Sequence, residues 1–116
     1  MNTLNNKVQL IGNLGLAPEV HTFDNGNKKV TLSLAIHDTF TNKAGEKVEE
    51  TYWHKVVAYG KVVDVIAKYF DKGSRIMVEG KLVNRSWETK DGEKRFITEV
   101  VMNDFMFMDA KKDKAA

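Results

Sequence analysis

Alternation of apolar and polar side chains with a period of two runs through most of this 116-residue chain, and it restricts most of the fold to strands. Val30, Leu32, Leu34 and Ile36 alternate with Thr31, Ser33 and Ala35, which predicts a half-buried strand over 30–36. A strand over 7–14 precedes it, broken by Gly12 and closed by Gly15 and Pro18. Further strands are predicted over 51–59, 75–87 and 95–108. Residues 19–23 lead into a turn at Asn25-Gly26, a pair that takes positive φ at little cost, and Lys90-Asp91-Gly92 makes another turn. The polar segment 38–50, with Phe40, Lys43 and Gly45, reads as a loop.

One segment departs from this period. Val62, Val63, Ile66, Tyr69 and Phe70 recur at spacings of three and four between Gly60 and Gly73, which predicts a helix with Tyr69 and Phe70 in the core. Its β-branched residues are poor helix formers alone, so tertiary packing must hold it. Five strands with one helix between the third and fourth is the order of an all-β OB-fold, a five-stranded Greek-key barrel. Residues 1–108 are expected to form that domain and 109–116 a disordered end.

Counting along the third strand puts Trp53, Lys55, Val57 and Tyr59 on one face; along the fourth, Lys81, Arg85 and Trp87 share a face. Were the ring face turned inward, Lys55 would be buried unpaired at several kcal/mol. His54, Val56 and Ala58 make the better core or interface face. Flat rings interleaved with cations suit single-stranded nucleic acid, which offers a π-face at every base and a charge at every phosphate. Bulk charge contributes little: 18 basic against 16 acidic residues leave +2. Tyr59 and Trp53 taken alone are as consistent with a core as with a ligand surface, and Lys55 between them tilts the choice.

Other chemistries find no support. The chain lacks cysteine, which rules out disulfides, thiolate metal sites and thiol catalysis. His21, His37 and His54 have no metal-ligand spacing, and neither nucleophilic triads nor phosphate-binding glycine loops occur. No enzyme, metal or cofactor is expected. Residues 1–7 carry no apolar signal core and no stretch reaches membrane-spanning length, so a cytoplasmic protein is expected.

The ordered strings Asn6-Lys7-Val8, Gly12-Asn13-Leu14-Gly15, Pro18-Glu19-Val20, Trp53-His54-Lys55-Val56-Val57, Tyr59-Gly60-Lys61, Lys72-Gly73-Ser74, Arg85-Ser86-Trp87 and Glu99-Val100-Val101 resemble the bacterial single-stranded DNA-binding protein family over about residues 6–102. The resemblance implies a homotetramer, with a dimer as the lesser option, that coats single-stranded DNA in replication, recombination and repair. It implies Phe40, Trp53, Tyr59 and Trp87 as stacking residues; Phe40 stands where a tryptophan is common and Tyr59 where a phenylalanine is. Lys7, Lys43, Lys55, Lys61, Lys72 and Arg85 are candidate phosphate contacts. About half of these are expected to touch phosphate, since surface lysine commonly serves solubility. His54 is a candidate subunit-interface residue. Family members usually continue into a flexible linker and an acidic tip that recruits replication and repair enzymes; a sequence ending Lys111-Lys112-Asp113-Lys114-Ala115-Ala116 is expected to lack that route. The rival reading is a tail-less accessory protein of the primosome that acts mainly through protein contacts.

Overall fold

The computed structural model describes residues 5–108; the expected disordered end at 109–116 lies outside them. The strands are β1 (Val8–Leu14), β2 (Glu19–Thr22), β3 (Lys28–Thr41), β4 (Lys47–Tyr59), β5 (Arg75–Glu88) and β6 (Lys94–Phe107), with α1 (Val62–Tyr69) between β4 and β5. Their order is β1-β5-β6-β4-β3-β2, and a further pairing of β1 with β3 closes five of them into a ring. Only the β4–β6 contact is parallel. This is the expected OB-fold barrel, with β2 added as a short outer strand on β3.

Alternation decides the two sides of the barrel wall. Val30, Leu32 and Leu34 of β3, Val56 and Ala58 of β4, Ile76 and Val78 of β5, and Val100 and Met102 of β6 form the core. Burying a side chain of this size contributes about 1.5–3 kcal/mol. In β6 the phase then changes. The pairing Glu79↔Asp104 is followed by Gly80↔Met102, so Asn103 is an extra residue on β6. One extra residue reverses which side chains face inward. Phe105 therefore packs on the core, where it and Phe107 meet Phe70 edge-to-face at 5.6 and 5.0 Å.

Helix α1 plugs the barrel with Val63 and Ile66, and Phe70 follows it into the core, its N–H donating to the Ile66 carbonyl at 3.0 Å. Tyr69 is exposed, against the expectation from spacing; the helix ends there, and Lys68 Nζ lies 5.2 Å from its ring. The expected loop over 38–50 is also corrected. Pairing of β3 with β4 continues unbroken from Lys29↔Tyr59 to Thr41↔Lys47, so most of the segment is a projecting two-stranded arm. The Asn42 side chain closes its tip, accepting from the N–H groups of Ala44 and Glu46 at 2.9 Å, while Gly45 takes φ +83°. The arm has few apolar residues because neither of its faces covers a core.

Candidate nucleic-acid interface

On the outer wall, the face opposite the core, β3 and β4 present Ala35 opposite Trp53, Ser33 opposite Lys55, Thr31 opposite Val57 and Lys29 opposite Tyr59. Trp53 is 60% exposed and Tyr59 51%, so both rings stand outside the barrel as their parity predicts. Val57 between them is fully buried, flanked by Thr31 of β3 and Val101 of β6. The floor beneath Trp53 is made of small residues. Ala35 is buried, and a β-carbon at Gly15 would stand 2.6 Å from Cη2 of the indole. The benzene edge of the indole thus abuts the backbone after β1, where the Gly15 N–H donates to the Ser33 carbonyl at 2.9 Å. A groove of about 310 Å³ opens beside it, lined by Leu16, Ala17, Thr31, Ser33, Trp53 and Lys55 among others.

Glu99 joins this face to β5. Its side chain is only 1% exposed and sits on β6, between β4 and β5. Arg85 grips it with a fork, Nε to Oε1 at 3.0 Å and Nη2 to Oε2 at 3.2 Å, while Lys55 Nζ stands 3.4 Å from Oε2. Burial acts to raise the Glu99 carboxyl; the hydrogen bonds and charges of Arg85 and Lys55 outweigh it and hold the group below its ordinary 4.5. Both cations remain partly exposed, so the triad offers solvent a net charge of +1 at two fixed positions. Lys55 is two residues from Trp53, and Arg85 two residues from Trp87, which is 50% exposed. A continuous surface therefore runs ring, cation, buried acid, cation, ring across three strands.

Sequence reasoning missed Glu99. A lone acid among Thr98, Val100 and Val101 is a visible anomaly in a strand, but only the register shows that it meets cations from both neighbouring strands.

The remaining candidates are spread more widely. Phe40, 42% exposed, pairs with Val48 and follows the parity of Ile36 and Tyr52, so it lies on the opposite face of the β3–β4 ribbon from Trp53. On that face Asp38 stands opposite Glu50, whose carboxylate accepts from the Tyr52 hydroxyl and keeps the Tyr52 proton bound above the usual phenol range. Lys7 pairs with Glu79 at 2.7 Å beside β5. Lys43 occupies the arm's tip, Lys61 the step from Tyr59 into α1, and Lys72 the turn before β5. Among the described residues none of these three has a carboxylate within 4.0 Å. His54 faces inward opposite Leu34 at the barrel mouth and is partly buried. The described residues contain no cluster of metal-binding side chains, and no helix among them is long and apolar enough to cross a membrane.

A sequence model of the single-strand binding protein family matches residues 5–108, the whole barrel. The chain belongs to the single-strand binding protein family. Among relatives, it is 41% identical over 109 residues to single-stranded DNA-binding protein 1 of Xylella fastidiosa, covering 93% of this chain and 80% of that one. Among solved structures, the single-strand binding protein of Plasmodium falciparum in complex with single-stranded DNA superposes with a TM-score of 0.82 at 37% identity, over 90% of this chain and 95% of that one. A deletion mutant of the single-stranded DNA-binding protein from Thermus aquaticus gives 0.79 at 33% identity, over 91% of this chain and 51% of that one.

Proposed function

We propose that this protein binds single-stranded DNA without reading its sequence, and protects it during replication, recombination and repair. The observation that carries the reading is the outer wall itself: Trp53 and Trp87, both open to solvent, with the Lys55–Glu99–Arg85 triad between them. Bases stack on Trp53, Tyr59 and Trp87, each ring worth roughly 1–3 kcal/mol by alanine substitution, a range for which this family is itself an example. Phosphates meet Lys55 and Arg85 on the wall and Lys43, Lys61 and Lys72 at its margins. Lys7 joins only by exchanging Glu79 for phosphate, and Phe40 only where the strand also follows the other face of the arm. Base-pairing edges are left unread, so any sequence serves, while duplex DNA hides the faces that stacking needs.

A chain of net charge +2 holds few phosphates alone, and repeated sites in a homotetramer supply avidity. His54 at the barrel mouth is our candidate interface residue. We place the protein in the cytoplasm with the nucleoid, acting by binding and not by catalysis. Tryptophan fluorescence titrated with oligo-dT at increasing salt tests the reading: strong quenching, weakened by salt and absent with duplex, is expected. Unchanged emission with both indoles intact would refute it.

A further inference from the structure

The outer wall does not stop at Tyr59. Lys29 stands directly opposite Tyr59 across β3–β4, and His21 stands directly opposite Lys29 across β2–β3. Opposed residues of antiparallel strands share a face, with β-carbons about 4.5–5.5 Å apart. Tyr59, Lys29 and His21 therefore form one row across three strands, on the face that carries Trp53 and Lys55. The His21 ring meets Phe23 edge-to-face, with centroids 4.6 Å apart at 74°, and both residues are exposed. A groove of about 500 Å³ is lined by Glu19, Val20, His21, Phe23, Lys29 and Thr31. The two neighbouring lysines differ in their commitments. Lys28 Nζ is bound to Asp64 at 2.9 Å, whereas no carboxylate among the described residues lies within 4.0 Å of the Lys29 amine.

We propose that Lys29, His21 and Phe23 form an additional subsite on β2 and β3 for the nucleotides that run on past Tyr59. Lys29 meets a phosphate, and the His21–Phe23 pair offers ring surface to the next base. The occupant follows from continuity: the row extends the same alternation of ring and cation found at Trp53, Lys55, Arg85 and Trp87. Glu19, opposite Thr31 in the next row toward the barrel's middle, repels phosphate and so bounds the path on that side. This inference rests on the single-strand reading above.

The test is the H21A/K29A double variant of the full chain, read through quenching of the untouched Trp53 and Trp87 by oligo-dT of increasing length. Lys29→Glu serves as a second variant that leaves the ring pair in place, and melting curves establish that both are folded. Short oligonucleotides that reach only Trp53 and Trp87 are expected to bind as to the parent protein. Longer ones are expected to bind roughly fivefold or more weakly to H21A/K29A, the range of one lost base contact, and also more weakly to Lys29→Glu, which sets a like charge against the phosphate. Fewer nucleotides should be covered per protomer on poly-dT, and the salt slope should fall by about 0.7. Variants that match the parent at every length would overturn the subsite, as would a change in assembly state by light scattering without any length dependence. A parent protein that shows no quenching at all would instead overturn the single-strand reading itself.

Discussion

The two halves of the β3–β4 ribbon are built from one unbroken register yet obey different rules. In the barrel half, Val30, Leu32 and Leu34 face Ala58, Val56 and His54 on the inside, while Lys29, Ser33 and Ala35 face Tyr59, Lys55 and Trp53 on the outside. In the projecting half, Phe40 and Val48 share a face with the like-charged pair Asp38 and Glu50, and neither side has a core behind it. Alternation therefore reports burial only where a second layer exists to bury against. Beyond the barrel rim the same backbone pairing persists without any hydrophobic period to announce it.

The largest expected difference between the halves is in stability. Leu32→Ala, inside the barrel, should lose about 2–5 kcal/mol in urea unfolding. Phe40→Ala, on the arm, should lose no more than about 1 kcal/mol. Comparable losses at the two sites would show that the arm is packed after all.

Binding should separate the halves next. Trp53→Ala is expected to weaken oligo-dT affinity by about 1–3 kcal/mol without unfolding the domain. Phe40→Ala should weaken it less, because its ring lies on the other face of the ribbon. Equal effects in a fluorescence titration, read for Trp53→Ala through Trp87, would mean that the strand contacts both faces.

Glu99 tests how far the barrel half depends on charge. Glu99→Gln is expected to destabilise by about 1–2 kcal/mol, less than a fully buried pair would lose because its cations are partly solvated. It should also steepen the salt dependence of DNA binding by about 0.7, as one cation is released to phosphate. The native carboxyl titrates below its unfolded value, so its contribution is complete above 4.5 and disappears as pH falls through the depressed value. The stability gap between parent and Glu99→Gln should therefore be widest at neutral pH and close in acid.

The smallest effect is expected at Gly15. Gly15→Ala would push the Trp53 ring outward, and since that ring is exposed the domain should lose less than about 1 kcal/mol while Trp53 emission shifts.

Much of this is legible in the sequence alone. The outward parity of Trp53, Tyr59 and Trp87, the inward parity of Val56 and Ala58, and the helix between the third and fourth long strands all follow from counting by two or by three and four. What escaped counting depends on partners distant in sequence. Lys55 and Arg85 read as unattached cations until the register brings Glu99 between them. Asn103 reverses the phase of β6 because a bulge, invisible to periodicity, inserts there. The arm read as a loop since its residues answer to cross-strand hydrogen bonds and not to a core. Strand β2 reads in the sequence as the approach to a turn, because it is short and exposed throughout.

The packing of Trp53 against Gly15 has a consequence for which polymers suit this surface. An indole whose benzene edge already abuts the main chain at Gly15 surrenders little rotational freedom when a ligand arrives, so most of the ordering falls on the nucleic acid. Homopolymers whose own bases pile up strongly, such as poly-dA, must first be pulled apart. Floppy poly-dT arrives with nothing to dismantle, and the barrel should favour it on that ground alone.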